Sequence, residues 1–277
     1  MKERVATQVI SVHNVVMLAA FLGAGLSGSM GGAPTSVSDT LAQRLSAGPV
    51  VEVPAPHALG SGLGLNRSSV EAYYDQLESK LRWLPVRYAG NVLKTPDPQS
   101  RLLLTQSAAE RAGLHEVGLS HRDVYGIINA ETSWIPRMGA SKNGTPNLGI
   151  AQFEPATAKA IGLTDPHDPV QAVHAAAVHL KDAAKWSAKR IADLPLTPEQ
   201  HAQKLREGVS IYYNLSVKGR NKWDGFNTAK LPVETQRHIA NARLGAREAA
   251  ELEEQLAQLK DRMNQPAVVT ASFEKAR

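Results

Sequence analysis

The stretch 170–192 contains neither glycine nor proline, is rich in alanine, and is introduced by Asp168-Pro169. A capping side chain followed by proline at the first helical position starts a helix, because proline's missing N–H would be unpaired there anyway. The stretch therefore reads as one long helix, and the same punctuation recurs along the chain. Ser120 caps a helix over 121–132, with Asp123 three residues on as its capping-box partner. Pro198-Glu199 opens a helix reaching Tyr213, and Pro232 opens the last core helix. Upstream, Ser68-Ser69 caps a helix over 70–83, and 102–112 forms another that Gly113 ends. No two-residue hairpin signal separates alternating strands, and no internal repeat is present. These signals predict an all-α domain with long loops.

The flanks differ from this core. Lys2 and Arg4 precede an apolar or small-residue run over 15–26. That run is too short for a membrane span, which needs about 20 residues, and it suits a secretory h-region with processing sites at Ser29, Gly31 and Ala33. Residues 1–33 are thus expected to be a signal peptide, and 34–66, rich in Gly, Ser and Pro apart from a short helical pattern at 37–45, a flexible linker. The main folded domain is expected over 67–242. At the other end, Leu252, Leu256, Leu259 and Met263 recur at 4-3-4 spacing among charged residues. They predict an amphipathic helix within 243–277 that docks on the domain, a partner-binding arm being the alternative reading, with a loose tail after Pro266.

Composition narrows the chemistry. With no cysteine in 277 residues, disulfides, thiolate zinc sites, iron–sulfur clusters and cysteine nucleophiles are excluded. The net charge of +5 is mild and calls for no polyanionic partner. No H-E-x-x-H motif occurs among the nine histidines, and His174 and His179, five apart, do not share a helical face; they read as solvated surface residues, and no metal is expected. Lys218, Arg220 and Lys222 beside Trp223 form a short basic surface loop and do not specify nucleic acid. No G-x-x-x-x-G-K pattern occurs, and the G-x-G-x-x-G match at Gly23-Ala24-Gly25-Leu26-Ser27-Gly28 overlaps the apolar N-terminal run instead of following a strand and opening a helix, so no nucleotide or other cofactor is indicated.

One carboxylate stands out. On the helix over 121–132, Val124, Ile127 and Ile128 lie on one face by i, i+3, i+4 spacing, and Glu131 continues that face. A carboxyl group on a core-facing stripe is partly desolvated, which favours its protonated form and suits it to general acid work. The bland alternative is a frayed helix end where Glu131 meets solvent. A carboxylate at position 154, in the first turn of the next helix, is expected to point to solvent, where the helix dipole favours negative charge.

From Glu131 onward the chain resembles the soluble lytic transglycosylase family. Four segments carry the resemblance, in order: Glu131-Thr132, with Ser141 in the glycine-containing loop beyond; Gly149-Ile150-Ala151-Gln152 before Pro155-Ala156-Thr157-Ala158; Tyr212-Tyr213-Asn214; and Leu231-Pro232-Val233-Glu234-Thr235. It covers roughly 120–242. The resemblance implies a lysozyme-like α-helical fold acting on peptidoglycan glycan strands outside the cytoplasm. It implies Glu131 as sole catalytic acid/base, with Thr132, Ser141, Gln152, Tyr213, Asn214 and Glu234 at the sugar cleft. It also implies cleavage of the β-1,4 bond after N-acetylmuramic acid to give a 1,6-anhydro end. A goose-type muramidase and an inactive glycan-binding module of a secretion apparatus are the alternatives. A secretion or conjugation assembly is the protein partner such domains serve, and no stable membrane span is expected. The chain departs from the family pattern at Thr132 for serine, at Glu154 for methionine, at Leu215-Ser216 for Ala-Gly, at His238 for tyrosine, and in a longer loop over 141–149.

Overall fold

A computed structural model describes residues 67–141 and 144–264. The expected signal peptide at 1–33, the linker at 34–66 with its helical pattern, and the tail after Pro266 lie outside the described residues.

The fold is all-α, with eight α-helices and two short 3-10 turns among the described residues. Helix α1 (Arg67–Glu78) buries Val70, Tyr74 and Leu77. It stops short of the expected residue 83, because Trp83–Tyr88 (β1) and Asn91–Pro96 (β2) pair as an antiparallel hairpin. Both central residues of its turn, Ala89 and Gly90, have positive φ (48° and 82°), the backbone hand that matches the twist of paired strands. Alanine rarely takes that conformation, and Pro85 sits within β1, so the sequence carries no ordinary hairpin signature. The proline is accommodated because both strands of a two-stranded ribbon are edges.

Helix α2 (Pro98–Ala112) begins earlier than the expected 102. Asp97 caps it by accepting from the Ser100 N–H, and Gly113, at φ 63°, closes it. After a 3-10 turn (Leu114–Val117), helix α3 (His121–Thr132) starts on a complete capping box between Ser120 and Asp123. Two two-residue strands, β3 (Gly139–Ala140) and β4 (Pro146–Asn147), pinch the next loop. A short α4 (Pro155–Ala160) then leads to α5 (Pro169–Ile191), capped by Asp168 as expected.

Helix α5 is the buried centre of the fold, packed between α2 and α6 (Pro198–Asn214). Its alanines 175, 176, 177, 183 and 184 are fully buried, and their small side chains allow close helix approach. This corrects the reading of its histidines as surface residues. His174 is buried, with Nδ1 on the Val170 carbonyl and Nε2 on Ser107 Oγ, and His179 packs half-buried against Phe153, Tyr212 and Tyr213. Trp223, expected in a surface loop, is likewise fully buried and stacks on Trp186 at 5.8 Å. Beside it, the Arg220 guanidinium lies 3.6 Å from the Tyr212 ring centroid.

After α7 (Val217–Arg220) and a second 3-10 turn (Asn227–Lys230), one continuous helix, α8 (Val233–Asn264), completes the fold. The boundary expected at 242/243 falls inside it. Helix α8 packs most extensively on α3. Its C-terminal half docks through Leu252 and Leu256, whereas Leu259 and Met263 are exposed, so the apolar stripe is engaged over only part of its length.

Candidate active site

Glu131 occupies the last turn of α3. Val124, Ile127 and Ile128 on its face are buried, and the Glu131 side chain retains 15% exposure. It is therefore neither a frayed surface residue nor a sealed one. Its Oε1 lies 2.8 Å from Nε2 of His238, on the second turn of α8, whose side chain is only 5% exposed. The two residues are 107 positions apart, and the crossing of α3 with α8 brings them together.

The chain around Glu131 is held by a set of hydrogen bonds. Thr132 Oγ1 donates to the Ile150 carbonyl at 2.9 Å, tying the helix end to the segment carrying Gln152. The Gln152 side-chain amide donates to the carbonyls of Arg137 and Gly149 at 2.8 and 2.7 Å. Arg137 in turn donates through Nη2 to the Glu131 carbonyl at 2.7 Å. Tyr213, at the end of α6, donates its hydroxyl to the Ala151 carbonyl at 2.9 Å, and its ring stacks on His238. Burial, and then the negative charge of Glu131, push the Tyr213 phenol well above its ordinary value, so it stays a neutral donor.

This frame is backbone-strained. Four non-glycine described residues have positive φ, and three of them, Ser133, Trp134 and Gln152, flank Glu131. Side-chain crowding disfavours that region. It persists here because Trp134 is fully buried with its carbonyl held by Thr95 Oγ1 at 2.6 Å, and because Gln152 is pinned by the two carbonyls. Thr95 belongs to β2, so the hairpin ahead of the family-like segment buttresses the turn after Glu131. Gly149 is required outright: it has φ 68°, and a Cβ there would lie 1.9 Å from the Pro166 carbonyl oxygen.

The other expected site residues take no part in this set of hydrogen bonds. Ser141 Oγ donates to Glu154 Oε1 at 2.5 Å and to Asn147 Oδ1 at 3.2 Å. Glu154 does not point to solvent as its first-turn position predicts; it is half-buried and engaged by Ser141, because the pinched loop folds back over the start of α4. Asn214 is exposed and accepts from Thr235 Oγ1 at 2.8 Å, fastening α6 to the start of α8. Glu234 is exposed in the first turn of α8. Arg137 is not anticipated by the sequence, since it lies in a loop without periodicity. His238 stands out in the sequence only as a departure, although its interior position on α8 is open to the same periodicity argument that picks out Glu131.

Among the described residues no group of three or more His, Asp or Glu side chains could hold a metal ion. A cavity of about 470 Å³ between α3, α6 and α8 is lined by Asp123, Ile127, Arg206, Val209 and Arg243, among others, and Glu131 is not part of its lining. Arg206 there is paired with Asp123, and Arg243 with Glu207.

Comparison with known sequences fits this geometry. Residues 110–192 match the transglycosylase SLT domain family. This segment is similar to an SLT domain. A protein of Enterobacteria phage PRD1 described as a transglycosylase is 34% identical over 67 residues, 24% of this chain. The chain spans about a quarter of that relative's length, 24%. The SLT segment contains α3, α4 and α5, with Glu131, Thr132, Ser141 and Gln152; Tyr213, Asn214, Glu234 and His238 lie beyond it.

Proposed function

We propose that this protein is a peptidoglycan lytic transglycosylase with Glu131 as its acid/base. The observation that carries the reading is a single half-buried carboxyl at the end of α3, inside the SLT segment, with one oxygen held by His238. Glu131 protonates the glycosidic oxygen between N-acetylmuramic acid and N-acetylglucosamine as the C1–O bond breaks and its electron pair passes to that oxygen. The muramic acid N-acetyl oxygen closes on C1. Its C6 hydroxyl oxygen then displaces the acyl oxygen, and the hydroxyl proton returns to Glu131. An intramolecular hydroxyl outcompetes water because its effective concentration reaches roughly 10⁵ M or more.

Hydrolysis with two carboxylates requires a second one to direct water. Glu154 is the nearest in sequence to the loop, and its Oε1 is engaged by Ser141, which favours the intramolecular route over the muramidase alternative. Thr132, Gln152 and Tyr213 support the cleft wall through their main-chain contacts, while Ser141, Asn214 and Glu234 line its approaches. The substrate places the mature protein outside the cytoplasm, after removal of an N-terminal signal, where a secretion or conjugation assembly would use local wall opening. No described helix is long and apolar enough to cross a membrane.

The test is digestion of purified peptidoglycan with mass analysis of the muropeptides. Anhydro ends, one water lighter than hydrolysed ends, are expected, and Glu131→Gln should lower cleavage by about 10²–10⁴-fold with folding intact. Reducing ends alone would replace the reading with a muramidase. Full activity of the Gln variant would remove Glu131 from the mechanism.

A further inference from the structure

The Glu131–His238 contact has more content than proximity. A carboxylic acid carries its proton on one oxygen, and only one of Glu131's two is held at 2.8 Å by an imidazole. The other ring nitrogen, Nδ1, is buried with no hydrogen-bond partner among the described residues. A proton on Nδ1, whether in the Nδ1–H tautomer or in the imidazolium, would bury an N–H donor facing no acceptor among the described residues. A bare Nδ1 lone pair in the same place is the lesser penalty. The ring is also fixed in orientation, since it stacks on Tyr213 at 6.4 Å and 18°.

The charged and titratable groups around the ring do not alter this choice. Glu131 faces it from α3. Tyr213 faces it from α6 with its hydroxyl already given to Ala151. Arg137, in the loop after α3, directs Nη2 to the Glu131 carbonyl. Glu234, one turn earlier on α8, is exposed.

We infer that His238 is a positioning residue in the Nε2–H tautomer, which donates to Glu131 Oε1 and so assigns the acid proton to Oε2. This rests on the reading of Glu131 as the acid. In the protonated carboxyl, Oε1 is the carbonyl oxygen accepting from Nε2–H, and the O–H lies on Oε2. When that proton passes to the glycosidic oxygen, negative charge develops on the carboxylate, and the Nε2–H···Oε1 bond becomes charge-assisted. A neutral donor already in place thus stabilises the charge that appears during the reaction more than the ground state. When the C6 hydroxyl is deprotonated, Oε2 is again the oxygen that receives the proton. A tyrosine hydroxyl can rotate to donate or accept; an imidazole fixed by stacking, with a bare Nδ1, can only donate from Nε2. The departure at residue 238 therefore sets the direction of the hydrogen bond.

Nitrogen-15 NMR of the imidazole in the full-length wild-type protein near neutral pH tests the tautomer without reference to activity. The proton is expected on Nε2 and a bare lone pair on Nδ1; an Nδ1–H tautomer or an imidazolium would overturn the inference. Kinetics on soluble glycan strands provide the second arm. His238→Phe, which keeps the ring stack and removes the donor, should lower kcat roughly 10²-fold with KM little changed. His238→Gln, whose amide can reach Oε1, should recover most of that loss. Equal kcat in the Phe variant, an effect confined to KM, or no recovery by Gln would each overturn the inference. If the Phe variant does not fold, the wild-type tautomer decides. If the wild type cleaves no glycan, the proposed function falls while the NMR result still decides whether His238 donates to Glu131.

Discussion

Gly126 on α3 and Gly245 on α8 face each other where the two helices cross. A Cβ on Gly245 would lie 3.0 Å from the Gly126 Cα and 2.6 Å from the Asn129 Cβ, and one on Gly126 would lie 2.3 Å from the Ala242 carbonyl oxygen. No side chain fits between these backbones. The close approach is what allows a residue near the start of α8 to touch one at the end of α3, so the Glu131–His238 contact depends on two hydrogen atoms elsewhere in the fold.

Gly126→Ala should therefore separate α3 from α8. Alanine suits a helix better than glycine by roughly 0.5–1 kcal/mol, but the clash is with backbone and cannot be relieved by a rotamer change. A net loss of about 2 kcal/mol is expected, with glycan cleavage reduced beyond what the loss of folded protein accounts for. Denaturant melts and activity per folded molecule check both. An unchanged midpoint would mean that the crossing is looser than these distances.

The fold was legible where its signals are local. Ser120 with Asp123 and Asp168 with Pro169 start helices through contacts within three residues, and α3 and α5 begin where the sequence places them. The β1–β2 hairpin was not legible, because its turn is Ala-Gly and both of its strands contain proline, Pro85 in β1 and Pro96 at the end of β2. His174 was misread because spacing alone does not reveal that an alanine-rich helix is the centre of the fold. For the site, Glu131 was visible from the face it shares with Val124, Ile127 and Ile128. Its partner's role was not, since α8 meets α3 only through tertiary packing.

His174 makes stability depend on pH. Burial, opposed in part by the bond to Val170, brings its pKa from the ordinary 6.5 down to about 4. Between those values the unfolded chain binds the proton that the folded chain refuses. Stability therefore falls as pH drops from 6.5 towards 4, by about 3 kcal/mol from this residue. His174→Gln should cost stability at neutral pH yet flatten the decline through that window. Chemical denaturation at pH 7, 6, 5 and 4 measures both slopes, and parallel slopes would reject the assignment.

Glu207 adds an acid-sensitive contribution of its own. Burial pulls its pKa up, but the combined hydrogen bonds from Lys204 and Thr228 and the charges of Lys204 and Arg243 outweigh it, and the net shift is downward. A depressed carboxylate stabilises above its unfolded pKa, and that stabilisation is lost as pH falls through the folded value. Glu207→Gln leaves its cationic partners without their counter-charge and should cost about 3 kcal/mol at neutral pH. In the variant the stability gap to wild type should shrink in acid. A gap that stayed constant with pH would mean that the carboxylate's charge is not what stabilises.

Along α8 the leucine stripe divides into two parts with different expectations. Leu252 and Leu256 pack on the core beneath the helix, whereas Leu259 is 48% and Met263 84% exposed. The same half of α8 is fastened by Glu253, which binds Arg122 at 2.7 Å and His121 at 2.5 Å on the first turn of α3. Leu252→Ser and Leu256→Ser should each cost about 2 kcal/mol, because apolar burial is lost and a hydroxyl is placed against hydrocarbon. Leu259→Ser, which removes a side chain already half in water, should stay within about 0.5 kcal/mol. Calorimetry on the three variants, with their oligomeric state measured in parallel, separates docking from partner binding. A stability loss for Leu259→Ser comparable to the other two, accompanied by a change in oligomeric state, would mean that the exposed end of the stripe is covered by a second chain in solution. Stability unchanged in all three would mean that α8 is held to the domain by its first turns and the Glu253 contacts alone.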